Sequence, residues 1–516
     1  MLAIACGENQ TRSAARVKLS AARCEAREGK SMAPRSGLPL FEAGRTGRRG
    51  PALRALLLAC VLAGLAPDGA AAQTLREALA MAYANNPTLQ AARARLRATD
   101  ENVPQALSGW RPIVTVQGQL GYADGTQTSA RNNAGIRTRT DVERNPLSGS
   151  ATFSQPIYRG GRTVAATRRA ENQVLAERAN LLATEQTVLF ESITAYANVI
   201  RDQEVLRLTQ NNVRVLERQL QAARDRFRVG EITRTDVAQA EARLERARSE
   251  RARADGDLQV SRAVFARLIG EAPRALVPPP PIRPIVTDAD EAARLAESNN
   301  PTVLRARFDE QAAIANIDVI FGELLPTASI QGSTFRNDDS SIRDTRSTGS
   351  QVLGVVSVPL YQGGQEHARV RQAKQEAQRA RDAFNEARRQ SVENARRAWE
   401  TLQSARAELD ARVAQIRANE IALDGVQREA LVGSRTTLDV LNAEQELLDS
   451  RTAAVRATRE YLIASYGLAA SAGRLTARDL ALPVQLYDPL ENYTAVRDRW
   501  FGTDLPRQRQ QPAASR

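Results

Sequence analysis

The sequence predicts a mainly α-helical fold with a small β part, built as a tandem-duplicated helix–β-hairpin–long-helix unit. Three observations carry this prediction. "FSQPIYRGGR" at 153–162 returns as "VSVPLYQGGQ" at 356–365, an offset of 203. A very long helical pattern follows each copy, over about 162–228 and about 365–430. Polar segments alternating with period two precede both, as strands do.

The chain has 516 residues and formal net charge +13. Residues 1–72 hold basic Arg45, Arg48, Arg49 and Arg54, then the apolar run 55–66, then small residues at Ala70 and Ala72. That order is a signal peptide's, with cleavage expected after Ala72. The apolar run is too short for a membrane helix. The long leader points to Met32 as an alternative start, and Cys60 offers an alternative reading as a lipid-attachment site. Cys6, Cys24 and Cys60 all fall in the leader, so the exported part has no disulfide framework.

After this 1–72 extension, the expected divisions are a first repeat at 73–276, a Pro-rich linker at 277–287, a second repeat at 288–476 and a partly disordered tail at 477–516. Two further pairs define the repeats: "ANNPTLQAARARL" (84–96) with "SNNPTVLRARFDE" (298–310), and "RVGEITRTDVAQAEARL" (228–244) with "LVGSRTTLDVLNAEQEL" (431–447). Pro87 and Pro301 are offset by 214, so the first half carries extra residues before its Gly-Gly, which fits a longer loop.

Each half begins with an amphipathic helix, about 75–102 and about 288–321. In 112–122, Val114, Val116, Leu120 and Tyr122 share one face, and Thr115, Gln117 and Gln119 the other. In 326–335, Ala328 and Ile330 oppose Thr327, Ser329 and Gln331. Such strands suit lipid on one side and water on the other; a small soluble sheet with one wet face fits them equally. Pro156, Gly160 and Gly161, and Pro359, Gly363 and Gly364, mark turns from strand to helix, where glycine's backbone freedom is needed. The long helices are about 100 Å, and return helices follow at about 234–269 and about 437–473. The return helix and the helix before the strands nearly add up to the long one, so the two are expected to stack end to end beside it. Val199, Leu206, Val213, Leu220 and Phe227 recur every seven residues, as a coiled-coil seam requires.

Two strands per half give four per chain, and a closed membrane barrel needs about eight. Open edges are not tolerated in lipid. Three chains would supply twelve strands, a trimeric 12-stranded barrel continued by an α-helical coiled-coil tunnel. His367 is the only histidine, which excludes a His/Cys metal site and leaves catalysis without its commonest base. No catalytic, cofactor or metal residues are assigned. The acids follow helical surface spacing, so a glycosidase-like carboxylate pair is not gathered anywhere. The basic charge is interleaved with Glu and Asp, and a signal-bearing chain is not expected to bind nucleic acid.

The paired units, the Gly-Gly motifs and above all "VGSRTTLDVLNAEQELLDSR" (432–451) resemble the TolC-type outer-membrane efflux family over about 75–475. The tail at 487–502 resembles members found beside type I secretion systems. The resemblance implies a homotrimer in outer-membrane lipid. Its tunnel would cross the periplasm to a periplasmic adaptor and an inner-membrane ABC or RND pump. It implies that Val229, Gly230, Thr233, Val432, Gly433 and Thr436 form the adaptor-docking tips. Asp439 matches an acid lining the aperture, although an N-terminal helix charge capped by Thr436 or Thr437 is the competing reading. Arg435 and Asp236 match a latch between neighbouring protomers. Asn442 and Ala430 depart from members with a second acid and a latching tyrosine, which predicts a looser gate. The expected function is a passive conduit of a tripartite efflux or type I secretion system. The alternative is a periplasmic coiled-coil scaffold outside any membrane.

Overall fold

The computed structural model describes residues 73–131, 134–282, 286–340 and 344–505. The leader, its cleavage site, Met32 and Cys60 lie outside these residues, as does 506–516.

The first half opens with α1 (Leu75–Asn85), α2 (Pro87–Asp100) and α3 (Asn102–Leu107). The single helix expected over about 75–102 is therefore broken. Asn86 is extended, with φ −64° and ψ 123°. The ring of a following proline drives the preceding residue out of the helical region. The break becomes a cap, because the Asn86 side chain accepts from the Thr88 amide at 2.9 Å and Pro87 occupies the first helical position. The second half does the same at Asn300, between α6 (Ala289–Asn299) and α7 (Pro301–Phe321).

A short 3₁₀ turn after α3 and after α7 leads into the sheet. Its strands are β1 (Ile113–Leu120), β4 (Leu147–Arg159), β5 (Thr327–Asp338) and β6 (Arg346–Ser357), antiparallel in the order β1-β4-β5-β6. The extra residues of the first half are not simply a longer loop. They form a separate two-stranded sheet, β2 (Ala123–Thr128) with β3 (Arg139–Arg144). Its sequence "ADGTQT" is polar on both faces, so no alternation announces it.

The long helices are α4 (Arg162–Arg228) and α8 (Gln365–Leu431), each of 67 residues. The return helices are α5 (Arg234–Ile269) and α9 (Thr437–Ser471). The main core lies where α1, α2 and α4 meet the end of α5, around Leu79, Leu189, Tyr196 and Phe265. The Tyr196 hydroxyl there bonds the carbonyls of Gln73 (2.8 Å) and Val277 (2.7 Å), so the buried phenol has partners. Lower down, Val213 and Leu220 of the seam, with Leu216 between them, pack on Ala240 and Leu244 of α5. Phe227, the last of the seam positions, departs from it and is 44% exposed at the end of α4. The end-to-end stacking is visible at one bond, where the Asn86 amide donates to the Leu268 carbonyl at 3.0 Å.

The C-terminal segment packs back on the first half. It contains α10 (Pro489–Val496), and Tyr487 N donates to the Tyr83 hydroxyl at 3.1 Å. Among the described residues, no helix is long and apolar enough to cross a membrane.

Candidate functional site

The sheet separates two chemistries. Pairing sets Val114 opposite Phe153, Val116 opposite Ala151 and Leu120 opposite Leu147. The same face continues through Gly332 to Val352, and through Ala328 to Val356. The other face pairs Thr115 with Thr152, Gln117 with Ser150 and Ser154 with Gln331. Val116 (77%) and Val352 (78%) are nearly bare, so the apolar face has no cover there among the described residues.

A bulge between Pro156 and Tyr158 inserts one residue into β4. Tyr158 then pairs with Ala328, on the apolar face, and Arg159 with Thr327, on the polar one. An extra residue reverses the alternation, which is how a bulge re-aims side chains. Gly160 and Gly161 follow at φ +61° and +74°, and Gly363 and Gly364 at +65° and +81°. These left-handed angles favour glycine. Gly160 is also tight, since a Cβ would come within 2.4 Å of the Gly322 carbonyl. Gly363 has open space around the same point. Pro156 lies inside β4, whereas Pro359 lies beyond the end of β6.

At the other end, both long helices reverse by one device. Gly230 N donates to Phe227 O (3.0 Å) and Glu231 N to Arg226 O (3.0 Å). Gly433 N and Ser434 N repeat this with Ala430 O and Glu429 O. The paired bonds closed by a left-handed glycine form the helix C-terminal motif that satisfies orphan carbonyls. Val229 and Val432 precede the glycines and are 78% and 81% exposed. Thr233 and Thr436 then cap α5 and α9, each in a reciprocal box with an acid three residues on, Asp236 and Asp439. Thr436, not Thr437, is the cap. Asp439 Oδ2 accepts from Thr436 N at 3.0 Å and Thr436 Oγ1 at 2.8 Å. That backbone hydrogen bond first, then the hydroxyl and the Arg435 charge, hold the exposed Asp439 carboxyl below its ordinary range.

Arg435 Nε lies 2.8 Å from Glu429 Oε2 in its own tip, while Asp236 bonds Thr233. The expected latch residues thus each have a local partner within one chain. Glu429 was not singled out from the sequence, since nothing in its spacing distinguishes it from other helical acids. Asn442 accepts from Arg243 Nη2 at 2.9 Å, which ties α5 to α9 just behind the tips. Sequence reasoning also passed over Arg159, Arg162 and Thr163, because the neighbouring glycines carried the motif.

The family model described as outer membrane efflux protein matches residues 78–271 and 292–474. Outer membrane efflux protein BepC of Brucella suis biovar 1 (strain 1330) is 35% identical over 454 residues, covering 87% of this chain and 96% of BepC. Outer membrane protein TolC of Escherichia coli (strain K12) is 25% identical over 453 residues, covering 81% and 87%. Among solved structures, the outer membrane protein VceC of Vibrio cholerae has the same fold, with TM-score 0.66 at 19% identity, covering 77% of this chain and 96% of that one.

Proposed function

The chain belongs to the outer membrane efflux protein family, and from that premise we propose that three copies form a passive export conduit of a tripartite efflux or type I secretion system. The protein is an outer-membrane channel that extends into the periplasm. Its four-stranded sheets join edge to edge as a twelve-stranded barrel, and the helices continue the tube. A tandem duplication accounts for the common order of elements in the two halves.

One observation carries the assembly. Residues Pro156–Arg159 of β4 pair only with β5, which belongs to the other half. The matching motif after β6 has no such partner among the described residues: β6 ends at Ser357, and Leu360 (92%) and Tyr361 (81%) are exposed. The helices repeat the asymmetry. α4 buries residues from Thr163 to Ala223, whereas α8, equally long, buries none beyond Ala405. What β5 and α7 do for β4 and α4, the β1 and α2 of a neighbouring copy would do for β6 and α8. Every backbone group in lipid needs a partner, and only a closed ring provides one.

The tips dock a periplasmic adaptor through Val229, Gly230, Thr233, Val432, Gly433 and Thr436, and the adaptor joins an inner-membrane ABC or RND pump. Asp439 lines the aperture, and Arg435 with Asp236 forms a latch between protomers. An exposed pair is worth only about 0–1 kcal/mol, weak enough for an adaptor to release. The pump selects the cargo and supplies the energy, so the chain needs no catalysis.

Membrane extraction with detergent, followed by mass measurement of the solubilised protein, tests this reading. A membrane-bound trimer is expected. A water-soluble monomer would favour the scaffold alternative.

A further inference from the structure

We infer that the start of α4 holds a binding site for an oxyanion (a phosphate or carboxylate group of a passing solute) on the polar side of the barrel's foot. The pocket follows from the chain alone; its position inside a conduit rests on the function proposed above.

A cavity of about 450 Å³ is lined by Gln105, Arg159, Arg162, Thr163 and Arg169. The α4 N-terminus opens into it. Gly161 caps this helix without a side chain, and its first turn contains no acid. Its free amides and dipole therefore favour an anion. Thr163 lies in that turn, is 3% exposed, and its Oγ1 has no hydrogen-bond partner among the described residues. A buried hydroxyl without a partner costs free energy that a bound acceptor recovers. Gly109 completes the cradle. A Cβ there would lie 2.7 Å from both Arg159 Nη1 and Thr163 Oγ1, so a larger residue would have to displace one of them. Arg169 Nη1 donates to Asn316 Oδ1, and its Nε has no partner among the described residues. Glu323 is the one acid in the lining, and Arg369 Nη1 engages it at 2.5 Å, nearer than the 4.0 Å to Arg162.

The second half is the internal control. At the offset of 203, Arg159, Arg162, Thr163 and Arg169 become Gln362, Gln365, Glu366 and Gln372. The same strand-to-helix turn forms there without the basic residues, and an acid occupies its first helical turn. The arginines are therefore not a requirement of the turn. The pairing of Arg159 with Thr327 puts it on the face opposite Tyr158 and Ala328. A soluble anion reaches that face, and a lipid headgroup does not.

The test uses the full chain in phosphatidylcholine bilayers, with inorganic triphosphate as the probe. The wild type is expected to show triphosphate block of its conductance. Arg159→Gln and Thr163→Val should each weaken it, the former by about tenfold, the scale of one charge-assisted hydrogen bond. Calorimetric titration of triphosphate into the detergent-solubilised protein supplies a readout independent of conduction. Binding that Arg159→Gln removes, in a protein that proves to be a water-soluble monomer, would sustain the site and reject the conduit. Block and binding unchanged in both variants would reject the site and leave the conduit standing.

Discussion

The Asn86 side-chain amide donates to the Leu268 carbonyl at 3.0 Å, closing the end of α5 against the start of α2. Asn300 does the same to Ser471 at 3.1 Å. Each asparagine also caps the helix that follows it, so one side chain joins two helix ends. Asn86 is 4% exposed, and an orphaned partner there would be shielded from water. Asn86→Ala should cost about 1–3 kcal/mol, from the lost cap and the unpaired carbonyl. Asn86→Asp keeps the cap and loses the donor. Denaturant unfolding of the solubilised protein should rank wild type above both variants; equal midpoints would deny the joint its role.

The long helices were legible because their periodicity runs for many turns; α4 and α5 have the bounds expected of them. The Asn-Asn-Pro pairs were visible as repeats, but their meaning was not. Pro87 and the Asn86 cap break α1 from α2 locally, but the carbonyl that the asparagine joins, Leu268, lies 182 residues away and no local pattern encodes it. The β2–β3 hairpin escaped for the opposite reason, since both its faces are polar. At the tips, the threonine caps were readable from spacing. The partner of Arg435 was not, because Glu429 comes near it only when Gly433 reverses the chain.

Glu185 is buried and accepts from Ala477 N at 2.7 Å, fastening the chain after α9 to the core. Burial raises its pKa, and the Ala477 hydrogen bond and the Arg93 charge offset this in part. A carboxyl raised in the folded state binds its proton more tightly there than in the unfolded chain. Its contribution is thus fully present below the ordinary carboxylate range and is lost as pH rises through the raised value. Glu185→Gln keeps the acceptor and removes the charge. The variant should match the wild type in acid and gain relative stability toward neutral pH. Melting curves across that range would read it, and a constant difference would show that the charge is not the cause.

The proposed ring at Asp439 should titrate in steps. Its carboxyl is held below the ordinary range by the Thr436 amide and hydroxyl. In the ring the neighbouring carboxylates act the other way, because like charges disfavour ionisation, so the three protonate in successive steps on acidification. Three carboxylates about one axis favour cations. Reversal potentials in planar bilayers should lose their cation preference gradually on acidification, as the ring takes up protons. Asp439→Ala should lose it at every pH, and unchanged selectivity would remove the ring.

Every cysteine of the chain lies before residue 73, so introduced pairs report on one contact only. Gln331 of β5 pairs with Ser154 of β4 across the halves. Applying the offsets of 214 and 203 moves this contact to Gln117 of one copy and Ser357 of the next. Directly opposed residues have Cβ atoms about 4.5–5.5 Å apart, close enough for a bridge after small adjustment. Gln117→Cys with Ser357→Cys, mildly oxidised in membranes, should run as covalent trimers on a denaturing gel. Thr115→Cys with Ser357→Cys is two residues out of register and should crosslink poorly. A ring closed through β1 and β6 requires this difference; equal yields, or only monomers, would mean that the edges meet in another register or not at all.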